Sequence, residues 1–102
     1  MDSTIAKHIE VTPGVCGGKP RIAGHRITVQ NIAIWHERMG RSPDEIVEQF
    51  PQLTLADVHA ALAYYFDHLD EINQQIEAER KIADQMAAQA TSRMKSRDGD
   101  AN

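Results

Sequence analysis

The sequence predicts a mainly α-helical chain: a small N-terminal β element, three helices in helix-turn-helix order, and a C-terminal helix. Three observations predict it. Short alternating segments before Val29 are punctuated by Gly and Pro, and from Val29 onward the apolar period changes to that of a helix. Two capping signatures, Ser42-Pro43-Asp44-Glu45 and Thr54 with Asp57, then start successive helices.

The first alternating segment, Ile9-Glu10-Val11, stops at Thr12-Pro13-Gly14. Arg21-Ile22-Ala23 and Arg26-Ile27-Thr28-Val29 flank Gly24-His25, which reads as a two-residue hairpin connection. Strands this short are marginal alone and need helices or a second subunit as a partner surface. Val29, Ile32, Ala33 and Met39 share one face of a first helix that ends near Met39, with Gly40 closing it. The second helix starts from the Ser42 cap with Pro43 at its first position and runs to about Phe50. It buries Ile46, Val47 and Phe50, and Pro51 stops it. The third helix follows Thr54 and carries Val58, Leu62, Tyr65, Phe66 and Leu69 inward.

A fourth helix begins near Asp67 or Asp70, with Leu69, Ile72, Ile76, Ala83, Met86 and Ala90 at three-four spacing, broken by Glu79. An amphipathic helix without a packed face is only marginally helical in water, so the segment after Glu77 is expected to gain order from a partner. After Thr91 there is almost nothing to bury and disorder is predicted. The chain therefore divides into residues 1–76, the β element with the helix-turn-helix, and 77–102, a partner-binding helix with its tail.

The formal net charge of −4 hides a segregation. Residues 5–41 carry net +4, residues 42–79 hold nine acids and no Lys or Arg, and residues 80–97 carry net +4. A polyanion would not meet the middle block. Cys16 is the lone cysteine, so no intramolecular disulfide is expected. Asp2, Lys7, His8 and Glu10 stand where a signal peptide needs an apolar core, and no apolar run reaches membrane length. These features point to a soluble cytoplasmic protein.

Catalytic and cofactor chemistry finds little support. Gly14-Val15-Cys16-Gly17-Gly18-Lys19-Pro20 is one residue short of a phosphate-binding loop, and Pro20 replaces its hydroxyl residue. His8, His25, His36, His59 and His68 show no metal spacing. Asp67, Asp70 and Glu71 beside His68 read as helix-end capping and solvation. With no nucleophile beside a base, neither an enzyme nor a cofactor is expected. Trp35, Tyr64, Tyr65 and Phe66 sit inside helical patterns and read as core or dimer surface, with Tyr64 the better exposed contact.

In standard helix-turn-helix docking, the first residues of the third helix would read bases. Here they are Leu55, Ala56, Asp57, His59 and Ala60, with no Lys or Arg, and Asp57 would meet the groove at a Coulombic cost. A scaffold kept for packing is therefore favoured over direct major-groove reading. If DNA is bound, the candidates are Lys19, Arg21, His25 and Arg26 on the β element, with Arg38 and Arg41 at the end of the first helix. A two-stranded ribbon fits a major groove; Arg21 and Arg26 suit bidentate contacts and Lys19 suits phosphate.

The string Gly18-Lys19-Pro20-Arg21-Ile22-Ala23-Gly24-His25-Arg26-Ile27-Thr28-Val29, with Thr54-Leu55-Ala56-Asp57-Val58-His59-Ala60-Ala61-Leu62-Ala63-Tyr64-Tyr65, resembles domain-of-unknown-function family 433. The resemblance runs from about Ile9 to Ile76 and departs from the family's usual look at His25. It implies a homeodomain-like trihelical fold and an antitoxin of a type II toxin-antitoxin module. It further implies a PIN-like ribonuclease toxin encoded next door, and a complex that represses its own promoter. On the residues themselves, Ile76, Ile82 and Met86 would fill a groove on the toxin, while Arg80 or Arg93 reaches its acidic metal-binding residues. The expected assembly is a homodimer. Two rivals stand beside this reading: a stand-alone DNA-binding transcriptional regulator, and a dimerisation module that binds protein only.

Overall fold

The computed structural model describes the backbone of residues 7–100 and the side chains of residues 7–91. It is mainly helical with a small two-stranded N-terminal β element. Contacts divide it into two compact units, Met1–Leu69 and Asp70–Asn102.

In the first unit β1 (Ile9–Glu10) pairs antiparallel with β2 (Arg21–Ile22), in the register Ile9 to Ile22 and Glu10 to Arg21. Alternation follows directly: Ile9 and Ile22 are buried, while Glu10 and Arg21 share the other face. The predicted hairpin is present only as a turn. The His25 N–H donates to the Ile22 carbonyl at 2.9 Å, with Gly24 at φ 78° in the position that demands a positive φ. Its expected second strand, Arg26–Val29, is reduced to one bridge between Arg21 and Thr28. Thr28 is needed elsewhere, as the N-cap of the first helix.

That helix, α1 (Val29–Ala33), opens with a capping box: the Thr28 hydroxyl accepts from the Asn31 N–H at 3.1 Å, and the Thr28 N–H donates to Asn31 Oδ1 at 3.0 Å. It widens into a π-helical turn over Ile34–Arg38, ended by a Met39 N–H bond to the Ile34 carbonyl at 3.0 Å and by Gly40 at φ 71°. Widening changes which side of the chain faces inward. Met39, expected on the buried face, is 54% exposed.

Helix α2 (Pro43–Gln49) has the predicted cap, with Ser42 and Glu45 bonding reciprocally. Ile46 is fully buried, whereas Val47 and Phe50 are half-buried. Helix α3 (Leu55–Asp67) starts from the reciprocal Thr54–Asp57 box and packs against α1, α2 and both strands. Its inward side is Val58, Ala61, Leu62 and Tyr65, with Ala60 also buried. Phe66 and Leu69, expected inside, are 55% and 40% exposed, and the inward positions of α3 are taken by Ala60 and Ala61 beside Val58, Leu62 and Tyr65. Buried Leu53 plugs the turn between α2 and α3.

Helix α4 (Leu69–Asp100) forms the second unit. Its buried positions are Ile72 and Ile76, and residues 77–91 are all exposed. The contact boundary lies after Leu69. The backbone stays helical to Asp100, in keeping with the good helix formers around Met86-Ala87-Ala88-Gln89-Ala90 and Met94-Lys95. Residues 101 and 102 lie outside the described residues.

Candidate functional site

Three surfaces bear on function: the cationic β element, the first turn of α3, and the exposed length of α4.

On the β element, Arg21 is committed inside the fold. Its guanidinium meets Glu10 at 3.0 Å and donates to the His25 carbonyl at 3.1 Å and to the Thr12 hydroxyl at 3.3 Å. The side chain is 12% exposed, and Nε is buried without a hydrogen-bond partner. A fork used this way is not presented for a bidentate base contact. Arg26 is exposed, and its carbonyl accepts from Cys16 Sγ at 3.4 Å. Lys19 and His25 are half-buried. Arg38 is exposed on the π-helical turn, while Arg41 is half-buried and donates to Gln49 Oε1. Near Arg41, Trp35 of the π turn stacks on Phe50 at 4.6 Å between ring centroids, 11° from parallel. The five cations and one histidine proposed for DNA are thus a mixture of structural and exposed groups.

The first turn of α3 is closed by its own cap. Asp57 Oδ1 lies 2.8 Å from His8 Nδ1, and Oδ2 accepts from the Thr54 N–H at 2.9 Å. Burial pushes the Asp57 carboxyl up, but hydrogen bonds from the Thr54 N–H, His8 and the Thr54 hydroxyl, together with the His8 charge, outweigh it and hold it below the ordinary carboxylate value. The acid at the head of the third helix therefore serves to tie the segment before β1 to α3. His8 has no helical or strand periodicity to mark it, so nothing in the sequence signals this link. Further along, the outward side of α3 carries Leu55, Ala56, His59, Ala63 and Phe66, with Leu55 43% and Phe66 55% exposed and no cation among them. The sequence places Phe66 on the inward side instead. At the helix end, His68 stacks on Tyr64 at 4.0 Å and its Nδ1 meets the Tyr64 carbonyl at 3.0 Å, so Tyr64 is half-buried against this ring.

On α4 the helical register divides the five proposed toxin contacts. Ile82 and Met86 are adjacent on one side, 56% and 64% exposed, and position 93 falls on the same side. Arg80 lies roughly 160° around the helix from Ile82. Ile76 is buried, 5% exposed. The side chain of Arg93 is outside the described residues. Among the described residues no helix is long and apolar enough to cross a membrane, and no three His, Cys, Asp or Glu side chains gather into a metal-ligand set.

These features define a small helical domain fronted by a two-stranded β element and continued by a long exposed helix. The sequence model described as "Protein of unknown function (DUF433)" matches residues 9–65, more than half of the chain. The chain belongs to this family. It is similar to a solved DUF433 member protein from Anabaena variabilis ATCC 29413, with 36% identity, 69% of this chain and 68% of that chain covered, and a TM-score of 0.63. No curated protein matches.

Proposed function

We propose that this protein is the antitoxin-type component of a type II toxin-antitoxin pair, a homodimer when alone, that captures a PIN-like ribonuclease through α4. The observation that carries the reading is the exposed Ile82–Met86 pair, one turn apart on a helix exposed throughout residues 77–91. Full burial of such side chains is worth about 1.5–3 kcal/mol each, and an amphipathic helix laid into a groove is a common way to collect that energy. Arg93, at a position on the same side, would reach the acidic cluster with which such a nuclease holds its metal ions. Arg80, on another side of the helix, drops out of the contact set, and so does buried Ile76.

Protein capture is favoured over base reading by the first unit. Arg21 is spent on Glu10, Thr12 and His25, Asp57 occupies the head of α3, and the outward side of α3 carries no Lys or Arg. Repression of its own promoter, if it occurs, would draw on exposed Arg26 and Arg38 as phosphate contacts.

The test is co-expression with the adjacent reading frame, followed by affinity pull-down and growth rescue. The wild type is expected to co-purify and rescue. Ile82→Asp with Met86→Asp is expected to do neither while keeping the wild-type unfolding midpoint, because both positions are exposed.

A further inference from the structure

One side of α4, defined by helical register, has a symmetry in its chemistry. Ala78, Ile82 and Met86 form its apolar centre, Gln75 and Gln89 follow on either side, and Glu71 and Arg93 stand at the ends. Counted outward from Ile82, these positions fall at four, seven and eleven residues in both directions, all within about 40° of one line along the helix. Buried Ile72 and Ile76 lie off this line.

We propose that this face is the homodimer seam: α4 of one copy pairs antiparallel with α4 of a second copy, about a twofold axis through Ile82. At that register Ile82 meets Ile82, each Ala78 lies beside the second copy's Met86, and Gln75 faces Gln89. Small against long fills the gap, and amide against amide satisfies both. Glu71 stands opposite Arg93 at both ends, as an isologous contact requires. Charge decides the direction. A parallel pair would set Glu71 against Glu71 and Arg93 against Arg93, whereas the antiparallel pair brings Asp70 and Glu71 to the register of Arg93 and Lys95. With one Ile and one Met per copy at its centre, the seam is weak and reversible. Ile82 and Met86 would then be shared with the ribonuclease, so that self-pairing and capture exclude each other; this competition rests on the antitoxin reading, whereas the pairing does not.

The experiment is sedimentation equilibrium of the full chain alone, without ribonuclease, across the micromolar range. The wild type is expected to approach twice the chain mass. Glu71→Arg and Arg93→Glu each reverse two pairs per dimer and are expected to weaken pairing on the order of tenfold, and the double swap is expected to restore it. Ile82→Asp, which sets two carboxylates across the axis, is expected to give monomer. A monomeric wild type, a dimer indifferent to Ile82→Asp, or a double swap no better than the single ones would overturn the proposal. A monomer that still captures the ribonuclease would overturn the pairing and leave the function standing.

Discussion

Arg21→Ala separates a structural role from a nucleic-acid role at the residue that looks most like a base reader. The guanidinium makes three contacts within the first unit, and the side chain is 12% exposed. The ion pair counts for little, because Glu10 is 49% exposed and such pairs contribute about 0–1 kcal/mol. The two hydrogen bonds from the charged fork to the His25 carbonyl and the Thr12 hydroxyl are worth more, about 1.5 kcal/mol each at the lower end of the charged range. Buried Nε without a partner offsets part of that gain. The net loss on truncation is therefore about 2–3 kcal/mol, a lowering of Tm by roughly 8–24 °C for a domain of this size. Arg21→Lys keeps the charge and loses the fork, and about half the loss is expected. Exposed Arg26→Ala is expected to stay within about 0.5 kcal/mol of wild type. Urea unfolding followed by far-ultraviolet circular dichroism measures all three. An Arg21→Ala variant as stable as Arg26→Ala would refute the reasoning. The same numbers warn that an Arg21→Ala, Arg26→Ala double variant which loses a ligand has first lost part of its fold.

Acid should unfold the first unit along a limb that Asp57 helps to set. Its carboxyl titrates below the ordinary value of about 3.9, so the native state binds fewer protons than the unfolded chain. The stability it contributes is present above that value and is lost as pH falls through the lowered native one. Asp57→Asn, which keeps a capping side chain, should flatten stability against pH below about pH 4 in urea titrations; an unchanged acid limb would remove Asp57 from the account. Thr54→Ala deletes the acceptor of the Asp57 N–H and should cost about 1 kcal/mol, with Thr54→Ser restoring most of it in thermal melts.

Helix starts were the most legible part of the fold, because a cap is local chemistry: Ser42 with Glu45 and Thr54 with Asp57 are read within four residues and both hold in three dimensions. Thr28 with Asn31 is the same chemistry with Asn in place of Glu, and its strand-like neighbours Ile27 and Val29 masked it. The pairing of β1 with β2 depends on contacts across a long loop, which two-residue strands do not announce. Met39 was misplaced because a π-helical turn shifts the period, and nothing in Ile34-Trp35-His36-Glu37-Arg38 signals one. For the candidate site, the cations were visible but not their engagement: that Arg21 faces Glu10 follows only from the strand register. On α4 the register separates Arg80 from Ile82 and Met86, which three-four spacing alone allows to be read, but the burial of Ile76 depends on contacts beyond the helix.

Capture of a partner by the Ile82–Met86 side of α4 is the central claim, and co-expression with the adjacent reading frame measures it most directly. The wild-type chain should co-purify with that product and restore growth, and Ile82→Asp with Met86→Asp should lose both at unchanged stability. A complex that survives the double substitution, or no complex and no rescue with the wild type, would contradict the account.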